Sequence, residues 1–187
     1  MIATDASDEQ IAAAISKPGV TYRVATAEDS RIDDASVNLI TVGQALHWFH
    51  TERFFVEAKR VLVPGGVLAA WCYELCRVCD TCDLLVDRLY TDIVGDFWPA
   101  ERALIEARYA PIEMPGAPIE APRFEMKVEW TADEMVGYLG TWSACKRYQK
   151  QHGCDPVTLV ETALREAWGN RPRVVVWPLT LLVRRFD

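Results

Sequence analysis

Short β-rich runs alternate with helical stretches from Met1 to Trp71, and that alternation constrains the fold more than any other feature. Met1-Ile-Ala-Thr-Asp5-Ala-Ser reads as a short strand ending in a carboxylate. Asp8 to Ser16 is Ala-rich, opens with acids as a helix dipole prefers, and is stopped by Pro18-Gly19. Val20 to Ala25 and Val37 to Val42 are strand-like. Thr51 to Leu62 places Phe54, Phe55, Ala58, Val61 and Leu62 at helical spacing, with Thr51 as N-cap. Pro64-Gly65-Gly66 predicts a turn, and Val67 to Trp71 a buried strand. Strands joined by helices imply a parallel sheet with crossover helices, an α/β fold.

The second half reads differently. Asp83 to Tyr109 is mostly helical in pattern, and the proline-rich stretch from Pro111 to Pro122 reads as a loop. Arg123 to Trp130 alternates as a strand. Thr131 and Glu134 form a capping-box signature for a helix toward Leu139. Asp155-Pro156 opens another helix running to Trp168, which Gly169-Asn170 ends. Arg173 to Phe186 is β-rich, with a bend expected near Pro178.

The 187 residues suit one domain, with a helical insertion at about 131–168. The net charge of -7 and the lack of any Lys/Arg-rich run argue against nucleic-acid and anionic-membrane partners. Apolar runs such as Val174 to Trp177 are too short to span a bilayer. Met1 leads into Asp5, Asp8 and Glu9 rather than a basic stretch and an apolar run, so a cytoplasmic address is expected. The six cysteines would be mostly reduced there.

Five segments stand in order: TDAS at Thr4–Ser7, AED at Ala27–Asp29, TVGQALHWF at Thr41–Phe49, RVLVPGGVLAAW at Arg60–Trp71, and YLGTWSA at Tyr138–Ala144. With the closing VVVWPLTLLVRR, they resemble the type 11 group of class I S-adenosylmethionine-dependent methyltransferases, the trans-aconitate methyltransferase-like branch above all. The resemblance covers nearly the whole chain. It implies a Rossmann-like sheet with flanking helices, S-adenosylmethionine as cofactor, and methyl transfer to a small-molecule acceptor. A carboxylate of a small organic acid is one such acceptor.

The resemblance also implies roles. Asp5 would accept both ribose hydroxyls; its other reading is a helix N-cap, since Asp5 and Ser7 both precede a helix. Thr26 and Ala27 fall where the family holds adenine, with Thr26 where an acid is commoner. The Ala27 N–H still serves, and Glu28 or Asp29 either substitutes for the acid or is simply solvated. Gln44 and His47 follow a strand at the carboxyl edge, where open parallel sheets bind ligands. Gln44 is placed with the cofactor; His47 is the catalytic candidate or a packed histidine. Trp48 and Phe49 are expected to pack. Trp71, Tyr73, Trp142, Arg147 and Tyr148 are the acceptor candidates, with Ser143 and Lys146 alongside; for the Trp142–Tyr148 stretch, ordinary helix packing with an exposed basic face is the alternative. A carboxylate acceptor is already nucleophilic, so alignment can suffice without an acid–base pair.

The family's sheet order is 3-2-1-4-5-7-6, and the strand here from Met1 matches its second. No G-x-G stands at a strand-to-helix junction, so the first strand and its glycine loop have no counterpart in this chain. The first two strands should then be separated from the others, leaving backbone edges open. Three explanations stand: Met1 is internal to a longer protein, the chain is a degenerate non-catalytic binding form, or it self-associates through the open sheet edge.

Cys72, Cys76, Cys79 and Cys82 offer a rival chemistry, a zinc or iron–sulfur site. Cys72-x3-Cys76-x2-Cys79 matches the radical-SAM spacing but follows a late strand rather than the first strand of a barrel. Cys76, Cys79 and Cys82 also have i, i+3 spacing, at which cysteine behaves as a small hydrophobe. No metal is assigned.

Overall fold

Ile2–Asp5 (β1) and Thr21–Val24 (β2) pair in parallel in the computed structural model, which describes residues 1–187. Parallel strands need a crossover, and Asp8–Ala13 (α1) supplies it. Ser7 caps α1, its side chain accepting from the Gln10 N–H, with Asp8 and Glu9 in the first turn. The helix ends before the expected Ser16. Ala14 is already extended, and Pro18 disfavours helical backbone at the residue before it.

Val37–Gly43 (β3) and Leu62–Tyr73 (β4) form a second parallel pair, crossed by Thr51–Val61 (α2). α2 buries Phe54, Glu57, Ala58 and Val61, the i, i+3, i+4, i+7 stripe of a core-facing helix. His50, not Thr51, occupies the cap position and makes no side-chain cap bond. The Glu28 carboxylate serves instead, accepting the His50 N–H at 2.8 Å.

Pro64-Gly65-Gly66 is not the expected turn. β4 begins at Leu62 and runs through it, with a register shift against β3 between Val37 and Leu39. Gly65 has φ 79° and donates to the Phe186 carbonyl at 2.7 Å, while Phe186 donates back to Gly66 at 2.9 Å. The glycines therefore make a bulge that keeps both backbones paired.

Ala117–Ile119 (β5), Phe124–Trp130 (β6) and Arg173–Arg185 (β7) complete the strands. β5 lies inside the stretch expected to be a loop. β7 is antiparallel to both: Arg173–Leu179 face β6, and Val183–Arg185 face β5. The larger sheet has the order β3-β4-β7-β5, with β6 also on β7. β1 and β2 form their own two-stranded sheet and pair with no other strand. That is the separation the sequence implies.

The chain packs as two units. The first comprises Met1–Cys72, Tyr109–Pro122 and Leu181–Asp187; the second comprises Tyr73–Arg108 and Arg123–Thr180. Leu46, Leu68, Ala70, Ala58 and Tyr109 are among the fully buried residues of the first. The second holds Asp80–Asp87 (α3), Arg102–Glu106 (α4), Ala132–Gly140 (α5), Ser143–His152 (α6) and Thr158–Trp168 (α7). Its core includes Leu89, Met135, Leu139, Leu164, Trp168 and Val175. Both bonds of the Thr131–Glu134 capping box form, and Gly169, at φ 74°, ends α7 as expected. The expected helical run from Asp83 is broken: a π turn at Arg88–Ile93 and a 3-10 turn at Gly95–Phe97 precede Pro99 and α4. No helix is long and apolar enough to cross a membrane.

Within the first unit, Glu57 ties the loop before β3 to α2. Its carboxylate accepts from the Ser30 N–H at 2.9 Å, from the Ser30 hydroxyl, and from Arg60 at 2.8 and 2.7 Å. The Arg60 hydrogen bonds outweigh burial and, with Ser30, lower its pKa from 4.5 to about 2. A depressed carboxyl stabilises the fold above its ordinary value and loses that contribution as pH falls through about 4.5 toward about 2. Glu57→Gln is expected to cost about 2–3 kcal/mol at neutral pH. Urea denaturation should show the gap between the two proteins narrowing at pH values between those limits; a pH-independent gap would exclude the charge as its source.

Candidate functional site

The carboxyl ends of β1 and β2 lie side by side, joined by the Ala25 N–H to the Asp5 carbonyl at 3.0 Å. Asp5 is exposed, and its Oδ1 accepts the Ser7 N–H at 2.8 Å. The helix cap is Ser7, so Asp5 closes the strand without being the cap. After β2 the chain folds into a tight turn, with the Asp29 N–H on the Thr26 carbonyl at 3.3 Å. This places Thr26 and Ala27 on the same edge as Asp5. Glu28 leaves that group: its Oε1 is engaged by the His50 N–H.

β3 ends differently. Trp71 lies so close over Gly43 that a Cβ there would sit 2.7 Å from its Cζ2. Gln44 then has φ 51°, a conformation that costs a non-glycine residue about 1–2 kcal/mol, and its N–H donates to the Trp71 carbonyl at 2.8 Å. This turn leads into the 3-10 segment Leu46–Trp48. Gln44 and Trp71, predicted in different roles, are thus brought together by one backbone hydrogen bond.

His47 is buried, with Nδ1 3.0 Å from the Tyr109 hydroxyl. Tyr109 is wholly buried, and burial, the largest cause, pushes its hydroxyl well above the ordinary range, so it remains a neutral phenol. This arrangement holds the imidazole in place. Sequence reasoning missed Tyr109, which is 62 residues away along the chain. Trp48, expected to pack, is 58% exposed. The 3-10 turn puts Leu46 and His47 inward and leaves the next side chain outside.

The second unit contains its own cavity, of about 210 Å³. Tyr73 and Trp142, predicted from the sequence, both line it, as does Ser143. Trp98, Arg102 and Tyr138 join them and were not predicted as ligand residues. Arg147 and Tyr148 do not line it: Arg147 reaches the Phe97 carbonyl at 3.5 Å, and Tyr148 packs on Phe97 and His152 at 5.1 and 4.4 Å between ring centroids. They lie a helical turn beyond Ser143, and α6 carries them away. The available signal for Arg102 was its place four residues after Trp98.

The Arg102 guanidinium lies over two rings, 4.8 Å from the Trp98 centroid and 5.3 Å from that of Tyr90. Its Nε donates to the Tyr90 hydroxyl at 2.8 Å, and that hydroxyl donates to Glu106. Burial, reinforced by Glu106, pushes the Tyr90 pKa up to about 12. Tyr138 is also raised, first by burial, and accepts the Trp177 indole N–H at 3.1 Å.

The cysteines do not assemble a metal centre. No three His, Cys, Asp or Glu side chains converge to hold an ion. Cys76 and Cys82 are fully buried, and burial pushes both thiols up to about 12, so they are protonated near neutrality. The Cys79 sulfur accepts from Arg173 at 3.5 Å. Apolar packing, not ligation, uses the Cys76 and Cys82 positions.

A family model described as "Methyltransferase domain" matches residues 1–70. A solved structure from Anaeromyxobacter dehalogenans, provisionally called a type II methyltransferase, is 42% identical with a TM-score of 0.91; the match covers 98% of this chain and 79% of that one. A Dictyostelium discoideum protein, provisionally called a methyltransferase, is 30% identical over 171 residues, 90% of this chain; the chain spans 65% of that relative's length. The YcgJ protein of Bacillus subtilis, at 17% identity and a TM-score of 0.51, shares the fold, with the match covering 100% of this chain and 82% of that one.

Tyr109→Phe removes the hydroxyl beside His47 and is expected to destabilise the protein by about 1–2 kcal/mol. Thermal unfolding with near-ultraviolet circular dichroism checks this; an unchanged midpoint would show that the contact does not hold the turn.

Proposed function

This chain belongs to the class I methyltransferase family, and we propose that it serves S-adenosylmethionine-dependent methyl transfer to a small-molecule acceptor. Asp5 carries the reading: an exposed carboxylate fixed at the end of a parallel strand, beside the turn bearing Ala27. A carboxylate can accept from two adjacent hydroxyls, and a backbone N–H can donate to a base edge. That donor and acceptor set fits the nucleoside half of the cofactor. The methionine half has no comparable set in this chain, since no glycine turn leads from a parallel strand into a helix.

Asp5 would hold the ribose, and the Ala27 N–H, with Thr26 beside it, would meet the adenine. Gln44 stands at the end of β3, where the left-handed turn fixes its backbone. When bound, the cofactor supplies a methyl group on a sulfonium, whose carbon–sulfur electron pair stays on sulfur as the methyl bonds to the acceptor. A carboxylate acceptor needs no base for this displacement. The work left to the protein is orientation and exclusion of water. The buried His47, bonded to Tyr109, helps shape the turn and need not move a proton.

Calorimetric titration with S-adenosylhomocysteine tests the reading, using the chain as it stands and a longer version carrying a strand and glycine turn ahead of Met1. Binding is expected in the longer version, weakened about tenfold or more by Asp5→Asn. Binding that is insensitive to Asp5 would remove its ribose role; no binding in either version would sink the cofactor assignment.

A second reading is favoured by the exposed apolar residues Ile2, Val24 and Leu39 on β1, β2 and β3. It is self-association of two copies through open sheet edges. Light scattering should then show a dimer that dissociates when Leu39→Lys is introduced; a stable monomer at high concentration counts against it.

A further inference from the structure

We propose that the cavity in the second unit recognises a planar aromatic monocarboxylate, with Arg102 reading the carboxylate. This rests on the methyl-transfer reading above and names the class of acceptor. Arg60, Arg77, Arg108 and Arg165 each meet a carboxylate of the protein. Arg102, the only basic residue lining the cavity, forms no ion pair. It spends Nε on Tyr90 and rests its face on Trp98 and Tyr90, and its two terminal nitrogens make no hydrogen bond within the protein.

Neither Glu106 nor Glu74 meets Arg102 directly. Glu106 accepts from the Tyr90 hydroxyl, and Glu74, on the cavity wall, is paired with Arg108 at 2.8 Å. A guanidinium with no direct ion pair, held by rings at a cavity and with both terminal nitrogens left over, is suited to an incoming anion. Its planar fork matches the two oxygens of a carboxylate.

The rest of the wall selects the body of the ligand. Trp98 and Trp142 lie 5.5 Å apart, and Tyr138 meets Trp142 edge-on at 6.0 Å, so the surfaces are aromatic faces and edges suited to a flat ring. The cavity volume of about 210 Å³ exceeds the roughly 150 Å³ that admits benzene in an apolar cavity, leaving room for a carboxylate. Charge decides between acids. Arg102 is the only basic residue on the wall, so a tricarboxylate such as trans-aconitate, with three charges to meet, fits less well than a benzoate.

Calorimetry and tryptophan fluorescence on the purified chain test this with benzoate, its neutral isostere benzamide, and trans-aconitate. Benzoate is expected to bind about tenfold or more tightly than either, and Arg102→Gln to abolish the preference over benzamide. The ligand comparison needs no variant, so a misfolded Arg102→Gln would not leave the proposal untested. Equal binding of benzoate and benzamide, or tighter binding of trans-aconitate, overturns it. The S-adenosylhomocysteine titration separates the two levels: if it binds and benzoate does not, this inference alone fails; if neither binds, the methyl-transfer reading fails with it.

Discussion

The backbone of β4 has to be satisfied along both of its edges, and the architecture of the first unit depends on that requirement. Leu68, Ala70 and Cys72 are fully buried, so an unpaired amide there would be costly. β3 meets one edge in parallel, which obliges α2 to cross over and bury its apolar stripe. β7 meets the other, and the bulge at Gly65 and Gly66 keeps their hydrogen bonds intact where the strand kinks. Because β3 and β4 run the same way, their carboxyl ends share an edge. The fold thereby sets the Gln44 turn beside Trp71.

That turn shows how packing can hold a locally unfavourable backbone. Gln44 would not adopt its left-handed conformation for its own sake. It is held between a bond to the Trp71 carbonyl and the buried Leu46–His47 step. Gly43 completes the arrangement by lacking a Cβ where the indole lies. The β1–β2 edge is built more simply, with little burial and one carboxylate bonded to a following amide. The two edges place their functional groups by different means: steric confinement in one, local hydrogen bonding in the other.

Much of the architecture was legible because it rests on local chemistry. Apolar spacing marked α2, the Thr131–Glu134 pair marked α5, and Gly169 marked the end of α7. Pro64-Gly65-Gly66 misled because the same dipeptides serve turns and bulges; the choice was made by Phe186, more than a hundred residues on. Tyr109 was invisible for a similar reason, since its partner His47 is distant in sequence. In the second unit, Tyr73 and Trp142 could be named from the motifs they follow. Arg102 could not be, because its place on the cavity wall, with its guanidinium over Trp98 and Tyr90, is set by tertiary packing.

β7 belongs to both units: its first half pairs with β6 and its last residues with β5. During synthesis, residues 1–172 emerge before any of this strand does. β6 and the Gly65–Gly66 segment of β4 must therefore wait with open edges, exposing polar backbone and adjacent apolar side chains. Neither β5 nor β6 gains its partner until β7 is made. Consolidation of the larger sheet is postponed to a late step, and the open edges persist for as long as that strand is missing.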